Sequence, residues 1–169
     1  MEEIIVDKDT LITSKTDLKG FITYANDDFV KYSGYTMKEL LYKNHNIIRH
    51  PDMPRLAFKI LWDYMHAGRE YFGFVKNRNK TGKFYWVFAN ITPSYDENHN
   101  LIGYYSVRRS PNRKVLDLMS SLYKNLREIE SKSGMQKALE AVEEVVAQYK
   151  MGSYNELVFR LQEDSINKE

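Results

Sequence analysis

Residues that break regular structure are confined to one end of this chain. All four prolines, Pro51, Pro54, Pro93 and Pro111, lie at or before position 111. Beyond them only Gly134 and Gly152 interrupt residues 113–169. Proline fixes φ and removes a backbone donor, so a stretch without it can run as long helix, whereas a stretch punctuated by Pro and Gly must turn often. The chain therefore divides into a mixed, aromatic-rich part over residues 10–112 and a helical extension over 113–169. At 43% hydrophobic and 28% charged, its 169 residues have the balance of a folded globular chain.

The first part alternates strand and helix signals. Thr10–Ser14 and Phe21–Tyr24 read as short strands across a Lys19-Gly20 turn. Asn26 is placed to cap a short helix through Tyr32, with Gly34 at its C-terminal side. Thr36-Met-Lys-Glu39 is a capping-box sequence and starts a second short helix to about Tyr42. A longer helix follows, with Asp52 as N-cap, Pro54 in the first turn and Gly68 at the end. Leu56, Ile60, Leu61 and Tyr64 give it an apolar face. Strands over 71–78, 83–92 and 100–108 are joined by turns at Asn79–Gly82 and Asp96–Asn100. The order β-β-α-α-α-β-β-β predicts an α+β domain, an antiparallel sheet with helices on one face.

The extension shows helical stripes. Val115, Leu118, Met119, Leu122, Leu126 and Ile129 form the first, and Met135, Ala138, Leu139, Val142, Val145, Val146 and Tyr149 the second. Tyr154, Leu157, Val158 and Leu161 form a shorter third. Two heptads per segment is short for an autonomous coiled coil. The stripes predict a hairpin or bundle, packed within the chain or across a homodimer.

Composition narrows the chemistry. With no cysteine there is no disulfide framework, thiolate nucleophile, iron–sulfur cluster or zinc finger, and no cysteinyl adduct to a flavin. No G-x-S-x-G, G-x-x-x-x-G-K or H-E-x-x-H pattern occurs, so no catalytic constellation is evident and no enzyme is predicted. The net charge of +2, with neither half strongly basic, does not point to nucleic acid. No apolar run approaches the ~20 residues of a membrane span, and the start MEEIIVDKD lacks the basic region of a signal peptide. These features predict a cytoplasmic protein without direct membrane insertion.

Several phrases go beyond fold class. Thr23-Tyr-Ala-Asn-Asp-Asp-Phe-Val30 with Ser33-Gly-Tyr35 resembles the second strand, first helix and glycine turn of PAS modules. His45-Asn-Ile-Ile-Arg-His-Pro-Asp-Met-Pro54 is less generic, as are Val75-Lys-Asn-Arg78, Gly82, Tyr85-Trp-Val87, Ala89-Asn90 and Pro93. Together they resemble the PAS domain of bacterial aerotaxis and energy-taxis receptors, the Aer type, over residues 10–112. The resemblance implies a PAS fold with a five-stranded antiparallel sheet and non-covalently bound FAD whose redox state reports on electron transport. Single-chain receptors of that type continue into a membrane anchor, a HAMP unit and a signalling coiled coil, which this sequence lacks. It is more similar to soluble PAS proteins of bipartite energy-taxis systems, the CetB type. That similarity implies a separate membrane-bound chemotaxis transducer with a HAMP or signalling domain, and recruitment to the inner membrane through it.

A flavin needs an apolar slot with a few directed hydrogen bonds, and its diphosphate needs cationic or amide donors. By resemblance, Arg49, His50 and Asp52 match the motif associated with FAD. Each also has a plain structural reading: a surface cation, a packing residue and a helix cap. Trp86 and Trp62 are core filler or flavin walls, and Leu61 and Trp62, being adjacent, are not expected to point the same way. Asn26 caps a helix or meets the ligand. Asn77 and Arg78 end a strand, facing ligand or solvent, and Asn90 needs a partner if buried. Haem is the rival cofactor, since one axial imidazole suffices and His45, His50, His66 and His99 are available. A cofactor-free docking adaptor is the remaining alternative.

Overall fold

A computed structural model describes residues 1–164. The last five residues of the predicted extension, 165–169, lie outside the described residues. Five strands, β1 (Ile12–Thr16), β2 (Ile22–Ala25), β3 (Tyr71–Arg78), β4 (Phe84–Tyr95) and β5 (Leu101–Arg109), form one antiparallel sheet in the order β2-β1-β5-β4-β3. Between β2 and β3 come the helices α1 (Asp27–Ser33), α2 (Met37–Leu40) and α3 (Arg55–His66), with a 3-10 turn at His45–Ile48. The α+β order read from the sequence is the observed one. The first two strands begin one or two residues later than their side-chain pattern suggests.

Local chemistry sets the helix ends. Asn26 Oδ1 accepts from Phe29 N–H at 3.0 Å, capping α1, and Gly34 closes it at φ +71°, a conformation glycine adopts without strain. The predicted capping box is present, with Thr36 Oγ1 accepting from Glu39 N–H and Glu39 Oε2 accepting from Thr36 N–H. The start of α3 differs from expectation. Pro54 occupies its N-cap position and provides no side-chain cap. Asp52 lies outside the helix and instead pairs with Lys76 Nζ at 2.7 Å. Proline at 54 and Met53 between them put the carboxylate out of reach of the first-turn amides, and a residue far along the chain takes the role.

Strand alternation separates two cores. Ile12, Ile22, Tyr85 and Val87 face inward against Phe29, Tyr32, Leu40 and Ile48. The opposite parity sends Phe74, Trp86 and Phe88 to the outer face. That face is covered by α4 (Leu116–Ser133), α5 (Met135–Gln148) and α6 (Tyr154–Gln162). The three helical stripes therefore fold back onto the chain's own sheet, with Met119, Tyr123, Leu126, Leu157 and Val158 buried there. Polar contacts fix the docking. Tyr123 OH donates to Phe74 O at 2.6 Å. Asn155 accepts from Phe72 N–H and donates to Glu70 O, both at 2.9 Å, so one carboxamide occupies the free edge of β3 as a neighbouring strand would.

Candidate functional site

The inner face of the sheet and the helices over it enclose a cavity of about 410 Å³, within the range usual for small-molecule sites. Its floor comes from Ser14 and Thr16 on β1, Val75 and Asn77 on β3, Ala89 and Ile91 on β4, and Tyr104, Ser106 and Arg108 on β5. Its walls are Ile48, Arg49, Phe58, Leu61 and Trp62, and Lys19, Gly20, Asn44, His45 and Asn46 complete the lining. Leu61 and Trp62 both line it. Neighbours on a helix diverge by only about 100°, and a concave wall spans that angle.

Arg108 is the dominant charge in the cavity. It is 3% exposed, yet no carboxylate pairs with it among the described residues. Its Nη2 donates to Ser14 Oγ at 2.6 Å, its Nη1 to His45 Nε2 at 2.8 Å, and its Nε to Ile12 O at 3.4 Å. Burial pulls the guanidinium down to about 10, so it remains a cation at neutral pH. Burial, and then the neighbouring Arg108 charge, push His45 down to about 3, leaving a neutral imidazole that accepts at Nε2. Two further polar atoms, Asn77 Nδ2 and Ser106 Oγ, are buried without a hydrogen-bond partner among the described residues. Such groups are rare because each forfeits its hydration. Of the four such atoms among the described residues, these two belong to residues lining one cavity, while Tyr85 OH and Arg127 Nε belong to residues outside its lining.

Three of the nine residues singled out in the sequence line this cavity: Arg49, Trp62 and Asn77. Arg49 stacks its guanidinium over Phe58 at 4.1 Å, and burial lowers its pKa while the Glu130 carboxylate opposes that shift. Trp62 meets Tyr104 edge-on at 5.3 Å. The other six lie elsewhere. His50 is buried behind the loop, its Nδ1 accepting from Asp52 N–H at 3.1 Å and its Nε2 facing Met1 Sδ at 3.3 Å. Asp52 sits among Lys76, Arg127 and His50, and the Lys76 hydrogen bond lowers its pKa. Asn26 is occupied by α1, Thr13 N–H and Leu11 O. Arg78 is exposed at the end of β3. Trp86 and Asn90 have the outward parity of β4. Trp86 stacks on Tyr123 at 6.2 Å, and Asn90 donates to Glu70 and Tyr71 O. Neither tryptophan nor asparagine reaches the cavity from there, because a pleated strand sends alternate side chains to opposite faces.

The sequence pointed to His45 only as a haem ligand and gave no role to Ser14, Ser106 or Arg108. The signal was available on β5, where Tyr104, Ser106 and Arg108 share the core-facing parity. An arginine in such a series has to be buried with something to satisfy it.

The PAS fold family profile matches residues 22–108. The aerotaxis receptor of Escherichia coli is 45% identical over 118 residues, 70% of this chain and 23% of the receptor. The nitrogen fixation regulatory protein of Klebsiella pneumoniae is 28% identical over 105 residues, 62% of this chain and 21% of that protein. This chain thus spans less than a quarter of the length of either relative. A solved light-oxygen-voltage domain, from a study of a flavin analogue, superposes with a TM-score of 0.57 at 20% identity, covering 68% of this chain and 86% of that one. Fold, strand order and sequence agree, and the chain belongs to the PAS family, with a sensor domain of the aerotaxis-receptor type.

Proposed function

We propose that this chain is an FAD-binding PAS redox sensor for energy taxis. Residues 10–112 act as the sensor module and residues 113–169 as its helical output. The reading rests on one observation: an aromatic-walled cavity holding a buried Arg108 that meets no carboxylate among the described residues, beside Asn77 Nδ2 and Ser106 Oγ, which have no hydrogen-bond partner among them. An isoalloxazine ring has an apolar end and an edge of alternating acceptors and donors, which suits such a lining. Phe58, Leu61, Trp62 and Tyr104 would flank the ring, Asn77 and Ser106 would bond its polar edge, and Arg108 would favour electron density there. Lys19 and Arg49 supply cations for a diphosphate, which favours the dinucleotide.

Bound flavin would supply reversible uptake of electrons and protons. The chain's part is to register the change. Asn77 can present either its oxygen or its nitrogen by rotating, and its backbone bridges to Arg49 and pairs with Tyr85. It lies on the edge strand whose backbone holds Tyr123 and Asn155 from the extension. Movement of β3 therefore reaches α4 and α6 directly. The proposed recipient is a separate membrane-bound transducer with a HAMP or signalling domain, which would recruit this cytoplasmic protein, acting as a homodimer and without turnover of its own. No helix among the described residues is long and apolar enough to cross a membrane.

Haem fits less well. His45 is the one imidazole lining this cavity among the described residues, and its Nε2 is engaged by Arg108 and lies 3.1 Å from Ser14 Oγ. The absorption spectrum of the purified protein tests the assignment. A flavin spectrum with FAD released on denaturation is expected. A Soret band would make it a haem protein, and a colourless protein that takes up no FAD would leave a docking adaptor. Retention of the transducer should differ between the oxidised and reduced protein, and identical retention would refute the signalling step.

A further inference from the structure

The α3 helix forms a wall of the cavity through Phe58, Leu61 and Trp62, but it lacks a cap of its own. Its first two amides are taken by Glu130, which lies on α4 and beyond the matched PAS region. Arg55 N–H donates to Glu130 Oε1 and Leu56 N–H to Oε2, each at 3.0 Å. The Glu130 side chain is 6% exposed, and Arg55 Nε lies 3.7 Å from it. A buried carboxylate is costly unless its oxygens are satisfied. Two charge-assisted bonds at the positive end of a helix meet that need and orient both partners. The same carboxylate acts on Arg49, which stacks on Phe58 from the cavity side.

We propose that Glu130 is a positioning residue for the cofactor cavity, holding the α3 wall in place from the helical extension. Cofactor binding and the Glu130 latch are thereby linked: whatever favours the latched α3 favours both. Linkage requires each to strengthen the other by the same factor. The affinity part of this inference rests on the flavin reading of the cavity, whereas the wall-positioning part does not.

The two tryptophans make the test local. Trp62 lies on the cavity wall, and Trp86 stacks on Tyr123 on the outer face. Glu130→Gln keeps the shape and one acceptor but removes the charge and the second acceptor. Tyr123→Phe removes one α4 bond to the sheet and leaves the Glu130 latch on α3 in place. In two-dimensional NMR of the full chain, Glu130→Gln is expected to move the Trp62 indole N–H signal and leave that of Trp86. It should also raise amide exchange at Leu56. Tyr123→Phe is expected to do the reverse for the two indoles. FAD titration should show an approximately tenfold weaker Kd in Glu130→Gln, within the 5–150-fold typical of coupled sites, and less than a twofold change in Tyr123→Phe. An unmoved Trp62 signal in Glu130→Gln overturns the positioning role. A moved signal with unchanged FAD affinity overturns the linkage. If the wild-type protein takes up no FAD, the flavin reading fails and the linkage with it, while the indole and exchange measurements still decide the positioning role.

Discussion

His45 links the cavity to the stability of the whole fold. Its imidazole is held neutral by burial and by Arg108, with a folded pKa of about 3 against 6.5 for the free group. The folded value is depressed and the neutral form is the one the fold accepts. Stability is therefore complete above the unfolded pKa and is lost as pH falls below it, because the unfolded chain gains a proton that the folded chain refuses. The window runs from 6.5 down to about 3. Between pH 7 and pH 5 the loss is RT ln(1 + 10^1.5) less a small remainder at pH 7, about 2 kcal/mol. At pH 5 the folded imidazole is still neutral, so this figure depends almost wholly on the unfolded pKa. His50 is also shifted down, chiefly by burial, and adds loss in the same direction. A His45→Gln comparison separates the two, since glutamine offers Arg108 an acceptor that does not titrate. Urea unfolding of both proteins at pH 7 and pH 5 gives the double difference. The wild type should lose about 2 kcal/mol more than His45→Gln over that interval. Equal losses in the two proteins would show that His45 is not kept neutral and that Arg108 does not govern it.

Other perturbations address separate parts of the structure. Arg108→Met removes a buried charge that no carboxylate among the described residues offsets, so urea unfolding should place it within about 1 kcal/mol of wild type or higher, with FAD binding weakened. A loss above about 3 kcal/mol would contradict the view that this cation is poorly compensated without a ligand. Gly103→Ala would put its Cβ 2.0 Å from Thr16 O, a backbone atom that cannot step aside. Unfolding free energy should fall by about 3 kcal/mol or more, and a neutral result would refute the close β1–β5 approach. Asn26→Ala deletes the α1 cap together with the bonds to Thr13 N–H and Leu11 O. It should cost about 2 kcal/mol in the same assay with FAD affinity unchanged, and a selective loss of FAD would return Asn26 to the site.

What was legible in the sequence was local. The Asn26 cap, the Thr36–Glu39 box and the hairpin turns at Asn79–Gly82 and Asp96–Asn100 each depend on residues within a few positions of one another. So does the loss of strand signals after Pro111, beyond which the described residues fold mainly as helices. Strand parity is legible as well, since the two-residue period puts Trp86 and Asn90 on the face opposite to Tyr85, Val87 and Ala89. Which of those faces would meet a cavity was not legible, because both are apolar. The extension covers the outer face, and that alone turns Trp86 into core and leaves the cavity on the inner face.

The sequence by itself determined the order of elements, most helix ends and the PAS relationship, because turn chemistry, capping and side-chain period act over short stretches. Tertiary structure decided which residues meet at a distance. Arg108 finds Ser14 and His45 across 94 and 63 positions, and Glu130 reaches the start of α3 across 75. Short-range rules are blind to such partners. A buried charge is satisfied by whatever the fold brings beside it, and that is settled only when the sheet, its helices and the extension pack together.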